Sequence, residues 1–167
     1  AQGHELYTAK SYFYLFQYDG EGYSNKENIL SVIYGVDEAK NIRSHNVTGY
    51  MQNNWYNVTR PMIELYLCKD GLPFDKSPLS ENPEISIFKN KDPRMDASIF
   101  KEGDPFNNPD VYPGIPTGAN KSGFRSRKHY IPNDWQRSRS YVDISMIRYA
   151  EVLLIYAEAK FELNVSI

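Results

Sequence analysis

The longest apolar stretch of the chain lies near its end, in residues 148–164, RYAEVLLIYAEAKFELN. Apart from small alanines, nearly all its other side chains are large and apolar, and each one left in water forfeits about 1.5–3 kcal/mol. The pattern therefore predicts a buried helix with neighbours on several sides, capped at its start by Asp143 or Ser145. The few polar residues fall on one narrow stripe: Arg148, Glu151, Glu158 and Glu162.

The first third of the chain carries weaker patterns. Apolar residues recur at three- and four-residue steps over residues 4–18, which predicts a helix that stops at Asp19-Gly20. Ser24 and Glu27 have the spacing of a capping box, but residues 29–34 are β-branched and aromatic. We therefore favour a short strand over a helix there.

The sequence pattern gives weaker signals for helices and strands after residue 35. Residues 35–60 show no clear period and predict a loop that contains Trp55 and Tyr56. Pro61 is well placed to open a short helix over residues 60–69, before the Asp70-Gly71 turn. Prolines then punctuate residues 71–120, which excludes long helices and most central strands and predicts a long ordered loop draped on other elements.

The complete pattern predicts a mostly α fold with long irregular loops and a few short strands, one of them within residues 121–131. No internal repeat or domain boundary is visible. Aromatic residues make up 14% of the chain, and the 14 tyrosines suit polar contact surfaces as well as half-polar cores. No run of 18 apolar residues occurs that could span a membrane.

Catalytic and cofactor motifs are missing from the sequence. There is no glycine-rich phosphate loop, no HExxH and no CxxC, and the three histidines lack metal-ligand spacing. Asp92 and Asp96 form only a loose pair of candidate cation ligands. We expect a protein that is not an enzyme and has no cofactor, and we assign no residue as a metal ligand; whether binding needs a cation stays open.

Basic and aromatic residues alternate over residues 121–139, a pattern that superficially resembles a nucleic-acid-binding surface. The whole chain has a net charge of −2, however, and no nucleic-acid module fits it. We therefore predict a solvated or partner-facing basic patch and no nucleic-acid partner. The basic residues are Lys121, Arg125, Arg127, Lys128, Arg137 and Arg139.

Five stretches, taken in order, resemble one family. They are ENILSVI at 27–33, RPMIELYLCKDGLP at 60–73, NKDPRMDASIF at 90–100, GFRSRKHYIP at 123–132 and MIRYAEVLLIYAEAKFELN at 146–164. The last resembles the signature helix of the SusD/RagB family of nutrient-binding outer-membrane lipoproteins. The resemblance covers residues 6–164 and implies that residues 1–167 are part of one SusD/RagB domain.

The resemblance carries several implications about the whole protein. Family members are about three times as long, so the signal peptide, the lipid anchor and the first helices would lie outside this chain. Further helices would follow the signature helix and complete a tetratricopeptide-like αα superhelix, in which neighbours bury each other's faces. The protein would sit on the cell surface, attached to the outer membrane only through that lipid anchor, and deliver an oligosaccharide to a SusC-like TonB-dependent transporter.

Ligand contacts are not part of the family motifs, so the candidate site comes from residue chemistry alone. Sugars stack on exposed aromatic rings, and amides or Arg hydrogen-bond their hydroxyls. The first choice is one loop with two aromatic rings and three amides; the alternative is that Trp55 fills a core. The loop contains Asn53, Asn54, Trp55, Tyr56 and Asn57, and the second choice is Trp135 with Arg137.

Two other functions remain open. A tetratricopeptide-type protein-interaction module would use the aromatic loop against protein and bind no small ligand. A glycoside hydrolase fragment would need two carboxylates about 5–10 Å apart across a cleft, and no pair in the sequence suggests that role.

Overall fold

Two separate parts of the chain build one unit, and the segment between them builds another. In the computed structural model, unit 1 comprises Ala1–Ser44 and Tyr141–Ile167, and unit 2 comprises His45–Ser140. The structure describes residues 3–36, 42–53, 55–80, 87–106, 110–114, 124–135 and 139–163.

Short elements dominate the described residues, and only the last helix is longer than six residues. Long irregular loops and a few short strands are confirmed, whereas the helix content is lower than expected. The elements are β1 Asn28–Val32, β2 Gly35–Val36, β3 Ile42–Arg43, α1 Val47–Gln52, β4 Asn57–Val58, α2 Arg60–Glu64, α3 Pro93–Ser98, β5 Phe124–Arg125, α4 Pro132–Trp135, β6 Ile144–Arg148 and α5 Tyr149–Glu162.

Unit 1 contains the predicted strand, because β1 pairs antiparallel with β6 from the other end of the chain. The Ser145 hydroxyl donates to Asn28 Oδ1 at 2.8 Å, across the two strands. The register is irregular around Leu30, and β2 forms a separate two-stranded ladder with β3. The expectation of a loop throughout residues 35–60 is therefore wrong, since strands and α1 occur there.

The start of α5 differs from the predicted cap. Neither Asp143 nor Ser145 caps the helix, because β6 continues to Arg148 and Arg148 itself is the N-cap residue. Asp143 Oδ1 instead accepts from the Tyr34 N–H at 2.9 Å. The first N–H of the helix, from Tyr149, donates to the Glu27 carbonyl at 2.8 Å.

The predicted helix over residues 4–18 is wrong. Residues 3–10 are irregular, and only two short 3₁₀ turns follow, at Tyr12–Phe16 and Tyr18–Gly20. The Tyr7 N–H donates to the Glu27 carboxylate at 2.7 Å instead of to a carbonyl one turn earlier. A long-range polar contact thus replaces local helical hydrogen bonding.

Helix α5 is present where the sequence predicts it, but the described residues supply few of the neighbours expected to bury it. No residue of the helix is buried, and Leu154 and Phe161 are 70% and 75% exposed. Its first turn is held through Tyr149, whose ring stacks on His4 with 6.2 Å between centroids. The remainder presents large apolar side chains to solvent.

Unit 2 carries two hydrophobic clusters, which the proline-rich segment largely supplies. Cluster A is the set Met51, Phe100, Phe106, Tyr112 and Tyr130. Cluster B is the set Ile63, Ile87, Met95, Ile99 and Phe124.

The segment 71–120 is therefore part of the core of unit 2 rather than a loop draped on other elements. Its described residues include one short helix, α3, which Pro93 opens and the Asp92 side chain caps by accepting from the Arg94 N–H at 2.8 Å. Asp92 and Asp96 each pair with a basic residue, Arg94 and Lys101, as side chains. Gly71 has φ +81°, so the Asp70-Gly71 turn is confirmed.

Candidate functional site

Helix α1 anchors the first side of the aromatic loop in unit 2. The buried Thr48 hydroxyl donates to the His129 carbonyl at 3.3 Å and accepts from the Ile131 N–H at 3.2 Å. At the other end of the helix, the Asn53 side-chain amide donates to the Gly49 carbonyl at 3.0 Å. These contacts hold α1 in place although it has only six residues.

Three aromatic rings meet at the C-terminal end of α1. The Tyr50 and Trp55 rings are stacked, with 5.2 Å between centroids and 15° between planes. Tyr56 meets Tyr50 edge to face, with 5.5 Å between centroids and 81° between planes. Trp55 is 70% exposed and Tyr56 is 50% exposed, so the two outer rings face solvent. We call Tyr50, Trp55 and Tyr56 the aromatic platform.

Strand β4 anchors the second side of the platform. Asn57 and Val58 pair antiparallel with Arg125 and Phe124 of β5, and Val58 also packs against cluster B. On the first side, Met51 belongs to cluster A. The platform is therefore held between two buried clusters, while the Trp55 N–H closes the loop by donating to the Tyr50 carbonyl at 2.9 Å.

Arg125 belongs to β5 of this strand pair, and its side chain is buried. Its guanidinium group lies over the Phe106 and Tyr112 rings, at 5.3 and 5.7 Å from their centroids. Burial lowers the pKa of Arg125 and raises the pKa of Tyr130, because both charged forms lose hydration.

The predicted basic patch is wrong for two of its members. Arg125 is buried against Phe106 and Tyr112 of cluster A, and Arg127 is largely buried and pairs with Asp104 at 3.4 Å. Both charges are therefore used inside unit 2 rather than displayed to a partner. Lys121 and Arg137 lie outside the described residues.

The structure brings most of the first-choice site residues together. Asn53, Trp55, Tyr56 and Asn57 lie on one short segment between α1 and β4. The alternative that Trp55 fills a core is wrong, because its indole is exposed. Asn54 lies outside the described residues.

The second choice was Trp135 with Arg137. Trp135 ends α4, and its side chain lies outside the described part of the structure, as does all of Arg137. Whether these two residues contribute to a site stays a prediction.

Sequence reasoning missed Tyr50, which contacts both outer rings of the platform. Tyr50 was missed because residues 35–60 were predicted to form a loop, whereas it is helix α1 that places Tyr50 next to Trp55. The sequence carries only a weak signal for α1: Asn46 is a favoured N-cap residue type, but Val47, Thr48 and Gly49 are poor helix formers. Asn46 is the N-cap residue of α1, although its side chain donates no capping hydrogen bond and accepts none.

A second concave surface lies entirely within unit 1. It has a volume of about 340 Å³, and its lining includes His4, Tyr23, Ser31 and Asp143. The Ser31 hydroxyl is buried and has no hydrogen-bond partner among the described residues. Ile29 and Leu30 of β1 also line this concave surface.

The described ranges contain no cluster of three or more His, Cys, Asp or Glu side chains that could hold a metal ion. Nor does any helix within those ranges combine the length and apolarity needed to cross a membrane. What the platform offers chemically is two exposed aromatic rings for stacking, with the exposed Asn53 side chain beside them for hydrogen bonds.

Comparison with known proteins gives one consistent result. The SusD_RagB family model, which describes the SusD family, matches residues 15–166. A solved SusD-like carbohydrate-binding protein from Bacteroides fragilis is 28% identical with a TM-score of 0.58, and the match covers 86% of this chain and 31% of that one. No curated protein matches the chain.

A second solved SusD-like protein from Bacteroides fragilis is 21% identical with a TM-score of 0.63. At that identity the match shows the fold alone. It covers 97% of this chain and 37% of that one. The chain therefore spans roughly a third of the length of the two solved proteins.

Proposed function

Because the chain belongs to the SusD family, we propose that it forms part of a cell-surface protein that binds oligosaccharide and delivers it to a SusC-like TonB-dependent transporter. Proteins of this family bind carbohydrate and are not catalytic, which fits the sequence-based expectation that this chain is not an enzyme. Ligand binding then depends on shape and stacking rather than on reactive side chains.

The observation that carries the proposal is the aromatic platform. An exposed indole offers a flat apolar face to the C–H groups of a sugar ring, and aromatic contacts of this kind contribute beyond the buried area alone. The exposed Asn53 lies beside the rings and carries polar groups suited to hydroxyls, whereas Asn57 Oδ1 is buried. The two buried clusters on either side hold the platform, which lowers the entropy lost on binding.

The test is a Trp55→Ala substitution in the full-length protein. We expect the affinity for its glycan to fall at least about tenfold, because the largest stacking surface is removed, as measured by titration calorimetry. Folding stability should change little, since the indole is exposed. The control is Tyr23→Ala, which removes a ring in unit 1 that is 95% exposed. Unchanged affinity in Trp55→Ala would discard the platform as the site.

The remaining features of the proposal concern the longer protein. Lipid anchoring at the outer membrane would hold it at the cell surface, and further helices of a tetratricopeptide-like superhelix would cover α5. The exposed apolar side chains of α5 support this arrangement. Hydrogen exchange would test it: amides of α5 should exchange more slowly in the full-length protein than in the 167-residue chain, and equal rates would contradict it.

The transporter partner needs a separate test. A SusC-like transporter should co-purify with the full-length protein from detergent-solubilised outer membranes. The Trp55→Ala variant should co-purify with the transporter as well as the wild type does, because Trp55 is proposed to contact the ligand and not the transporter. A full-length protein recovered alone under mild detergent would argue against delivery to such a transporter.

One observation favours a second function, a protein-interaction module without a small ligand. Helix α5 exposes a large apolar surface of the kind that marks protein contacts. A panel of plant, host and microbial glycans distinguishes the two functions. Retention of at least one glycan on affinity gels supports carbohydrate binding, whereas no retention by the intact protein supports the interaction module.

A further inference from the structure

Tyr50 occupies the centre of the aromatic platform. Trp55 stacks on its ring, and Tyr56 meets the same ring at its edge or face with nearly perpendicular planes. Tyr50 itself is half-buried and belongs to α1, whereas the two other rings lie on the connection to β4. Both exposed rings are therefore oriented by contact with one residue of a helix.

An exposed indole has rotational freedom that a ligand must remove when it stacks. The 70% exposure of Trp55 leaves few neighbouring groups that could select one rotamer. The nearly parallel Tyr50 ring supplies such a contact, because offset stacking favours one ring orientation. Preorganisation of this kind strengthens binding by reducing the ordering cost rather than by adding a ligand contact.

We propose that Tyr50 is a positioning residue for glycan binding, which holds Trp55 and Tyr56 in their binding orientation before the ligand arrives. The inference rests on the proposed function of the platform. Because Tyr50 covers one face of the indole, a sugar ring stacks on the opposite face. The platform is then a one-sided surface for a sugar ring and not a clamp with two parallel aromatic walls.

Fluorine NMR tests the orientation without any ligand. The full-length protein is labelled with 5-fluorotryptophan, and the Trp55 resonance is assigned as the one lost in Trp55→Phe. Tyr50→Ala should shift this resonance and increase its solvent isotope effect, because one indole face becomes exposed to water. Tyr50→Phe keeps the stacked ring and should leave the resonance in place. A resonance that does not respond to Tyr50→Ala overturns the inference.

A double-mutant cycle tests the effect on binding. We expect Tyr50→Ala to weaken glycan affinity about fivefold and Tyr50→Phe less than about twofold, since stacking and not the hydroxyl does the positioning. In a Trp55→Ala,Tyr56→Ala background, Tyr50→Ala should change affinity less than about twofold, because no ring remains to be positioned. An equal loss in that background would mean that Tyr50 contacts the ligand itself, and the positioning role would be wrong.

The outcomes separate this inference from the proposed function. If Trp55→Ala weakens binding and Tyr50→Ala does not, only the positioning role is overturned. If Trp55→Ala leaves the affinity unchanged, the platform is not the site, and the role of Tyr50 in binding fails with it. Where Tyr50→Ala does not fold, Tyr50→Leu retains apolar volume without an aromatic face, and the same two measurements apply to it.

Discussion

The two units differ in how far their apolar side chains are buried. Of the fifteen buried hydrophobic residues among those described, twelve lie in unit 2. Of the 25 large hydrophobic residues that are exposed in the same ranges, seventeen lie in unit 1. The proline-rich segment thus forms much of a core, whereas the most apolar helix lies in solvent. Burial depends on whether non-local partners converge, and an apolar element without them stays exposed.

The largest expected effect comes from the core of unit 2. Phe100 packs against Phe106, Tyr112 and Tyr130, with ring centroids 5.0–5.3 Å away. Phe100→Ala should lower the free energy of unfolding by about 3–5 kcal/mol, because it leaves a cavity that the clustered rings cannot fill. Urea denaturation measures this.

The same substitution at an exposed phenylalanine gives the matched control. Phe161 of α5 is 75% exposed, so Phe161→Ala should change the free energy of unfolding by no more than about 0.5 kcal/mol. Similar losses for the two variants would mean that the contrast between the units does not hold in solution.

The second prediction concerns Arg148, which joins a buried carboxylate and an aromatic ring in unit 1. Arg148 donates to the buried Glu27 carboxylate at 2.6 Å, and its guanidinium lies over the Phe16 ring at 5.2 Å. Arg148→Ala should lower the free energy of unfolding by about 2–3 kcal/mol, because Glu27 would lose its cationic partner while buried.

Arg60 provides the comparison for that variant. Its ion pair with Glu64 is exposed on α2, so Arg60→Ala should cost about 0.5 kcal/mol or less. If Arg148→Ala lowered the free energy of unfolding no more than Arg60→Ala does, the stability of unit 1 would not depend on the buried Arg148–Glu27 ion pair.

A smaller effect is expected at the cap of α3 in unit 2. Asp92→Ala should lower the free energy of unfolding by about 1 kcal/mol, because the Arg94 N–H loses its acceptor. The hydrogen bond and charge of Arg94 hold the pKa of Asp92 below its usual value of 3.8. Its ionised form therefore stabilises the fold above pH 3.8, and that contribution is lost as the pH falls through the lower pKa of the folded state.

Asp92→Asn separates the two contributions. Asparagine also caps helices well, so the variant should retain most of the stability near neutral pH. Below pH 3.8, the variant should not show the decrease in the free energy of unfolding that protonation of Asp92 causes in the wild type. Identical acid unfolding curves for Asp92→Asn and the wild type would contradict this assignment of the pKa shift.

The smallest effect on stability is expected in α5. Leu154→Gln should change the free energy of unfolding of the 167-residue chain by less than about 0.5 kcal/mol, because the side chain is exposed. It should nevertheless reduce hydrophobic dye binding and self-association, which we expect of the wild-type chain through this helix. Analytical ultracentrifugation that finds the wild type monomeric at all concentrations would contradict that expectation.

Several local features follow directly from local sequence. Asp92-Pro93 starts a helix and Asp70-Gly71 makes a turn, because a capping side chain and a glycine act on their immediate neighbours. The β-branched run after Asn28 becomes a strand for a similar local reason. The candidate site was partly predictable, since its aromatic and amide residues are adjacent in the chain.

Other features depend on contacts between distant residues. Residues 4–18 do not form the predicted helix because Glu27 binds the Tyr7 N–H, and Arg148 rather than Asp143 begins α5 because β6 pairs with β1. Tyr50 joins the site only because α1 turns its ring toward Trp55. The local sequence pattern predicts none of these contacts.

The sequence by itself determined the family of this protein, the position of its long apolar helix and the aromatic character of its candidate site. Those properties reside in residue types and spacings that act over one or two helical turns. Only the tertiary structure decided which apolar residues are buried, that the Arg125 guanidinium packs against aromatic rings, and that Trp55 faces solvent. Burial and ring stacking require atoms from remote segments to meet, and hydrophobicity alone does not specify which segments those are.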